Sequence, residues 1–344
     1  MDSLGARVRR RRSGSSIAVT GAEAPLGRLV VQLLGEDPSR PAMVTVDHAP
    51  SAADLHGVDT VVHLATDRSA ATPADIRRTT NVTGTESLLD ACVEAGVRRV
   101  VLLTSAMVYG AQPSNPVPLA EDAPLMPGTP NGLVGDWLAM ERAGLDRRGT
   151  GNDLEVVTVR PASVVGSAAD SLLPGLFEAV RLLAVRDGGC HWQFCHTDDL
   201  AAALALVATG DLDGAVTVGC EGWLERREVE AIANMRSVVL PTALAFATAE
   251  RLHRVGALSS PSSDLHYLMH PWAVGNQQLL AAGWKPSWTN EAALAEHLRS
   301  LGDRAGRSLV VVDRRNATRA AAGAGATLAV VGSLALARAR SRRR

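Results

Sequence analysis

Two sets of residues in this chain have types and spacings that could do chemistry: a small-residue turn able to hold a phosphate, and a few scattered groups able to move a proton. The turn runs Thr20-Gly21-Ala22-Glu23-Ala24-Pro25-Leu26-Gly27, between the apolar run Ser16-Ile17-Ala18-Val19 and an amphipathic segment over 29–34. Small residues at Gly21, Ala24 and Gly27 let the backbone come close to a pyrophosphate. A helix starting at Pro25 aims its first N–H groups and the positive end of its dipole at that charge. Pro25 suits the first helical position, where the N–H it lacks would have no partner. Ala24 narrows the approach by one methyl group. Taken alone, the turn equally fits any α/β domain. Among proton-moving groups, His196 has a type that titrates near neutrality, and Asp136 and Asp198 have carboxyls that burial could turn into acid/base groups. The plain alternatives are a structural histidine at 196 and, for Asp198-Asp199 ahead of the apolar run 200–207, acids that cap a helix and favour its dipole.

These groups need a frame. The run 43–47 reads as a second strand ending in Asp47, about twenty positions beyond Gly27. An acid there accepts hydrogen bonds from the adenosine ribose and repels a 2′-phosphate, which favours NAD over NADP; the alternative is a turn-forming Asp before His48-Ala49-Pro50. A further buried strand over 58–65 begins too soon after Asp47 for a helix and another strand to intervene. The wall around an adenine is therefore expected to be reduced. A helical stretch over 74–95 follows, then a strand over 98–103 that runs into Thr104-Ser105-Ala106-Met107-Val108-Tyr109-Gly110.

The ordered set Thr20-Gly21…Gly27, Asp47, Asp59-Thr60-Val61-Val62-His63-Leu64-Ala65, Asn81-Val82-Thr83-Gly84-Thr85, Thr104-Ser105…Tyr109-Gly110, Arg160-Pro161 and His196-Thr197-Asp198-Asp199-Leu200-Ala201 resembles the extended short-chain dehydrogenase/reductase family, the NAD-dependent epimerase/dehydratase group, over about 16–300. The resemblance implies an α/β fold, a Rossmann-type doubly wound, mostly parallel sheet with a small C-terminal substrate lobe. It also implies a dinucleotide cleft lined by Gly21, Ala24, Leu26, Gly27, Asp47, Leu64, Ala65, Asn81 and Thr104, with the Ser105 hydroxyl bonding the reacting oxygen. Asn81 has a competing job, since Asn near a helix commonly satisfies local backbone groups.

Members that transfer hydride carry Tyr-x-x-x-Lys on the helix after the serine strand. Four residues apart, the two side chains share a helix face, and the ammonium lowers the phenol pKa toward working pH. Aligned through Glu141, this chain has Leu133 in the Tyr place and Trp137 in the Lys place. Its two tyrosines are Tyr109 and Tyr267, and Lys285 is its only lysine. No shift of register restores the pair. In related sugar-nucleotide epimerases an arginine grips the nucleotide diphosphate where this chain has Trp192, which offers stacking or core packing instead of a cation. Arg160 is left to serve an anion or a structural ion pair.

The 344 residues carry a net charge of -1, which gives no global attraction to nucleic acid. Arginines cluster at both ends, and the near-exclusive use of arginine over lysine fits a GC-rich genome. The four cysteines have neither metal spacing nor disulfide density, which points to buried thiols in a reducing compartment. The organisation expected is a basic disordered tail over 1–15, with no signal peptide, and one domain over 16–301. That domain has a cofactor core of about 16–165 and an interleaved lobe; a tail follows over 302–344. The uncharged run 320–337 is near the lower limit for a spanning helix and is poor in strongly apolar residues. Membrane contact through 320–344, a helix docked on a partner and a disordered tail stay open, so the expected place is the cytoplasm, with attachment to the inner membrane face as one option. The resemblance further implies a homodimer through helices around 81–95 and 133–147.

Two functions follow. One is an NAD-binding protein without Tyr/Lys hydride chemistry, acting as sensor, scaffold or regulator. The other is an active oxidoreductase or epimerase on a sugar-nucleotide-like or other hydroxyl/carbonyl substrate, with Ser105 orienting the oxygen and His196 or Asp136 as acid/base.

Overall fold

The computed structural model describes residues 16–36, 43–46, 49–69, 72–126, 132–149, 153–166, 176–177, 182–186, 188–255 and 261–308. Short runs of valine, isoleucine and leucine become strands because both of their faces are covered, as parallel sheets require. β1 (Ser16–Thr20), β2 (Met43–Val46), β3 (Val58–His63), β4 (Arg99–Leu103), β5 (Glu155–Pro161) and β9 (Ala215–Val218) form a parallel sheet in the order β2-β1-β3-β4-β5-β9. Alternate residues serve opposite layers. Ile17 and Val19 pack with Val30 and Leu34 of α1 (Pro25–Gly35) and Leu200 and Leu204 of α5 (Thr197–Thr209). Ala18, Val61, Val100 and Leu102 pack with Leu88 and Leu89 of α3 (Gly84–Ala95) and Ala143 of α4 (Leu133–Arg147). The doubly wound core expected from the sequence is therefore present, and its strand order reverses between β1 and β3. The residues 49–57 between β2 and β3 hold turns and no helix.

The helical stretch over 74–95 is one rod with a flaw. α2 (Ala74–Arg78) passes into a π-turn, Thr79–Thr83, before α3, and Gly96 ends α3 in the left-handed conformation at φ 74. The lobe contains two small parallel pairs. β6 (Ser163–Val165) pairs with β8 (Phe194–His196), and β7 (Leu182–Val185) pairs with β10 (Ser237–Leu240). α6 (Arg226–Ala233), α7 (Thr242–Arg254), a 3-10 turn (Ser262–Leu268), α8 (Gln277–Ala281) and α9 (Asn290–Ser308) complete it. α9 runs past the end expected at 301, because helix geometry continues after the apolar pattern stops at Leu301. Among the described residues no helix is long and apolar enough to cross a membrane. The tail 1–15 and the run 320–337 lie outside those residues.

Candidate functional site

The turn after β1 is built around two close approaches of backbone to backbone. Gly21 has φ +67, and a Cβ there would sit 2.9 Å from the Ala65 nitrogen. A Cβ on Gly27 would overlap the Gly21 carbonyl oxygen. α1 then begins at Pro25 with no side-chain cap on Ala24 and no acid in its first turn. Its N-terminal N–H groups therefore point out of the turn as an anion site, the arrangement a dinucleotide pyrophosphate needs. Ala24 is exposed, Leu26 half-buried and Gly27 buried. Asp47, the ribose-acceptor candidate, lies outside the described residues.

A buried relay fixes this turn to the neighbouring strand. Thr20 Oγ1 accepts from the backbone N–H of Leu64 and of Ala65, each at 3.1 Å, and lies 2.9 Å from His63 Nδ1. His63 Nε2 lies 3.2 Å from Thr85 Oγ1, which donates to the Asn81 carbonyl. The network assigns the ring proton to Nε2, since Thr20 has two incoming donors and must itself donate to Nδ1. Asn81, inside the π-turn, accepts from the Asp67 N–H at 2.7 Å and donates to the Asp67 carbonyl at 2.8 Å. Its side chain thus satisfies local backbone and sets the loop after β3. Leu64 and Ala65 are buried where that loop passes Gly21.

The end of β4 carries the catalytic-serine position. Ser105 is 5% exposed, and its hydroxyl accepts from the Met107 N–H at 3.2 Å as the cap of a 3-10 turn, Ala106–Tyr109. The adjoining Thr104 faces the other way in bonding terms. Its Oγ1 donates to Glu141 at 2.7 Å, and Glu141 holds Arg160 through two bonds of 3.0 and 2.6 Å. Arg160 also donates to Tyr109 Oη at 2.8 Å, and Tyr109 donates to the Glu121 carbonyl. Arg160 is consequently a structural ion-pair residue with its charge matched inside the protein. Trp192 likewise packs in the core beside Phe177 and Phe194, 4% exposed.

α4 brings Leu133 and Trp137 to the positions a Tyr/Lys pair would take, and both are core residues at 2% and 1% exposure. Two buried polar atoms here have no hydrogen-bond partner in the protein, Trp137 Nε1 and Thr66 Oγ1. Such orphans are costly unless a ligand or water meets them, so together with the glycine cradle and the open helix terminus they fit a bound dinucleotide.

The proposed acid/base groups sit elsewhere. Asp136 is fully buried on the α2 side of α4, held by Arg77 at 2.7 Å and Arg78 at 3.3 Å. His196 caps α5, its Nδ1 accepting from the Asp198 N–H at 3.3 Å, and stacks on Trp288 with centroids 3.7 Å apart. Its Nε2 lies 3.6 Å from Glu296 and against Gly166. The cap of α5 is therefore His196 and not an acid. Asp198 stays in the first turn, and Asp199 instead clamps the loop before α9 by accepting from Ser287 N and Trp288 N at 2.9 and 3.1 Å. No pair among Ser105, Asp136 and His196 is joined by a hydrogen bond or an ion pair.

Two residues that sequence reasoning passed over stand closer to the purpose. Arg68, on the loop after β3, donates to the Thr104 carbonyl at 3.0 Å and lies over the Trp137 ring, 5.2 Å from its centroid. Asp264, on the lobe, keeps one carboxyl oxygen buried without a partner, and burial raises its pKa to about 7 against the pull of His253 and Arg77. One 3-10 turn further on, Tyr267 donates to the Met107 carbonyl at 2.6 Å, so that turn docks beside Ser105. Burial pushes the Tyr267 phenol well above its usual range. The four cysteines are buried and free, and burial pushes Cys92 and Cys220 up to about 12, which keeps them as inert thiols.

A sequence profile of the NAD dependent epimerase/dehydratase family matches residues 17–219, more than half of the chain. This chain belongs to that family. Among curated members of similar sequence, the uncharacterised protein y4nG of Sinorhizobium fredii is 29% identical over 266 residues, 70% of this chain and 63% of that protein. The chain thus spans less than two thirds of that relative's length. The uncharacterised protein Rv0501 of Mycobacterium tuberculosis is 27% identical over 320 residues, 83% of this chain and 84% of the relative. A solved structure of the family's fold is the dTDP-glucose 4,6-dehydratase DesIV of Streptomyces venezuelae with NAD and TYD bound. It superposes with a TM-score of 0.62 at 23% identity, over 85% of this chain and 98% of DesIV. The match extends the shared architecture from the epimerase/dehydratase core into the lobe.

Proposed function

We propose that this epimerase/dehydratase-family chain binds NAD in the crevice between β1 and β3 and keeps it as a ligand, acting as a sensor, scaffold or regulator without Tyr/Lys hydride chemistry. The observation that carries this reading is the pair Leu133 and Trp137, both packed in the core where a phenol and an ammonium would be needed. The two tyrosines cannot substitute. Tyr109 is committed to Glu121 and Arg160, and Tyr267 to the Met107 carbonyl. NAD supplies a hydride acceptor when bound; this chain's own part is to hold its pyrophosphate at Gly21, Gly27 and the α1 N-terminus and to meet its distal half at Thr66 and Trp137. That DesIV was solved with NAD supports the choice of ligand. An acid at Asp47 favours NAD over NADP.

The test is calorimetry on the full chain with NAD, NADH and NADP, beside a nicotinamide-absorbance screen of sugar nucleotides and other hydroxyl or carbonyl compounds. Binding of NAD with no absorbance change in any of them is the expected result. Absence of NAD binding overturns the reading, and turnover overturns its non-catalytic half.

One observation favours the active alternative. Asp264 offers a buried carboxyl that can hold or release a proton near neutral pH, on the lobe segment docked beside Ser105. In that reading Ser105 orients a substrate oxygen and Asp264 moves the proton. Turnover that survives both Ser105→Ala and Asp264→Asn removes it.

A further inference from the structure

The inference concerns which residue holds the distal half of the dinucleotide, and it rests on the NAD-binding reading above. The sheet order gives the ligand a direction. With the pyrophosphate at the α1 N-terminus beyond β1, one half extends over β2 and the other over the carboxyl ends of β3 and β4. Arg68 lies across those two ends. It leaves a loop whose backbone is pinned at Asp67 by both polar atoms of Asn81. It then reaches from β3 to β4, where one guanidinium nitrogen donates to the Thr104 carbonyl at 3.0 Å. Its Cζ stands 5.2 Å from the centroid of Trp137, the residue in the place of the missing lysine.

Each contact does something specific to the cation. The indole face attracts the guanidinium and fixes its plane, so little rotamer freedom remains to be lost when a ligand arrives. The Thr104 carbonyl sets its rotation within that plane. A guanidinium has five N–H donors in a rigid fork, matched to phosphate oxygens and vicinal hydroxyls. Arg68 is half-buried, and the orphaned Thr66 Oγ1 and Trp137 Nε1 belong to the same stretch of chain and the same shelf.

We propose that Arg68, laid on Trp137, grips the phosphate and ribose of the nicotinamide half of NAD, so that the cleft cation comes from the β3 loop and not from α4. The relocation leaves no ammonium beside position 133, which is why binding can be retained where the phenol relay is lost.

Calorimetry on the full chain tests this with NAD and AMP as probes, using the wild type, Arg68→Met, which keeps an apolar stem over Trp137, and Arg68→Lys. The expected result is a loss of about tenfold in NAD affinity for Arg68→Met, in line with one charged hydrogen bond, with AMP affinity unchanged and Arg68→Lys intermediate. Unchanged or tighter NAD binding by Arg68→Met overturns the proposal, because the guanidinium is then a strut or an obstruction. An equal loss of AMP affinity overturns it as well, since the effect then lies in the fold or at the adenosine side. A wild type that binds no NAD removes the functional reading and this inference together; a wild type that binds NAD while Arg68→Met is indifferent removes this inference alone.

Discussion

Thr20 Oγ1 lies 2.9 Å from His63 Nδ1, and through that contact the end of β1 is joined to the end of β3 and on to Thr85. Three backbone or ring groups depend on one hydroxyl. Thr20→Val keeps the shape and removes the acceptor, leaving the N–H groups of Leu64 and Ala65 buried and unmet. The expected cost is about 1–3 kcal/mol for each, read as a lowered urea midpoint with little change in slope. Thr20→Ser, which retains the oxygen, is expected to recover most of it.

Gly27→Ala places a methyl group against the Gly21 carbonyl, a backbone atom that cannot move aside without opening the turn. NAD binding measured by calorimetry is expected to disappear. Gly57→Ala serves as the control, because a Cβ at that left-handed turn residue meets nothing within 4 Å. Its penalty should be confined to backbone strain in the unfolding midpoint, without loss of ligand.

Glu141→Ala strands the Arg160 guanidinium, which is 7% exposed, with only a phenol and a carbonyl for company. Loss of one member of such a buried pair costs about 3–5 kcal/mol. Glu141→Gln keeps an acceptor for Thr104 and should cost less. Denaturant unfolding separates the two. Because Glu141 is aimed at Arg160 and Thr104, its effect is expected in stability before binding.

Asp264 sets a pH dependence of stability. Its folded pKa, near 7, is above the ordinary value of 3.8, so between those values the folded state holds a proton that the unfolded state has released. Stability from this group is full below the lower value, falls as pH rises through the window, and is flat above the upper one. Asp264→Asn should flatten that part of the stability curve between about pH 4 and 7 and raise stability above it, by up to a few kcal/mol. Thermal unfolding at several pH values for both proteins reads the difference directly.

The strands and the cradle were legible because a parallel sheet covered on both faces demands unbroken apolar runs, and because Gly21 and Gly27 answer a steric need that belongs to the local turn. The absence of a Tyr/Lys pair was legible from composition alone. Arg68 was not, since its partners Thr104 and Trp137 lie on other elements and nothing in the local sequence points to them. Asp199 was equally hidden. Its position before an apolar run fits a cap, but the cap went to His196, whose backbone leaves the extended strand at that point, and the carboxylate was free to reach Ser287 across the lobe. Trp192 and Arg160 left two readings each in the sequence, and burial decided between them.

The π-turn at Thr79–Thr83 changes the phase of the rod that contains it. An extra residue in one turn advances every following side chain by about 100° relative to an uninterrupted α-helix. Arg77 can therefore be directed at Asp136 of α4 while Leu88 and Leu89 are directed at the sheet, although a strict 3.6-residue count would not give both. Deleting any single residue within 79–83 would restore regular winding and force a choice between the two contacts. Length in this segment is thus constrained more tightly than composition, and a substitution here should be tolerated better than a one-codon deletion.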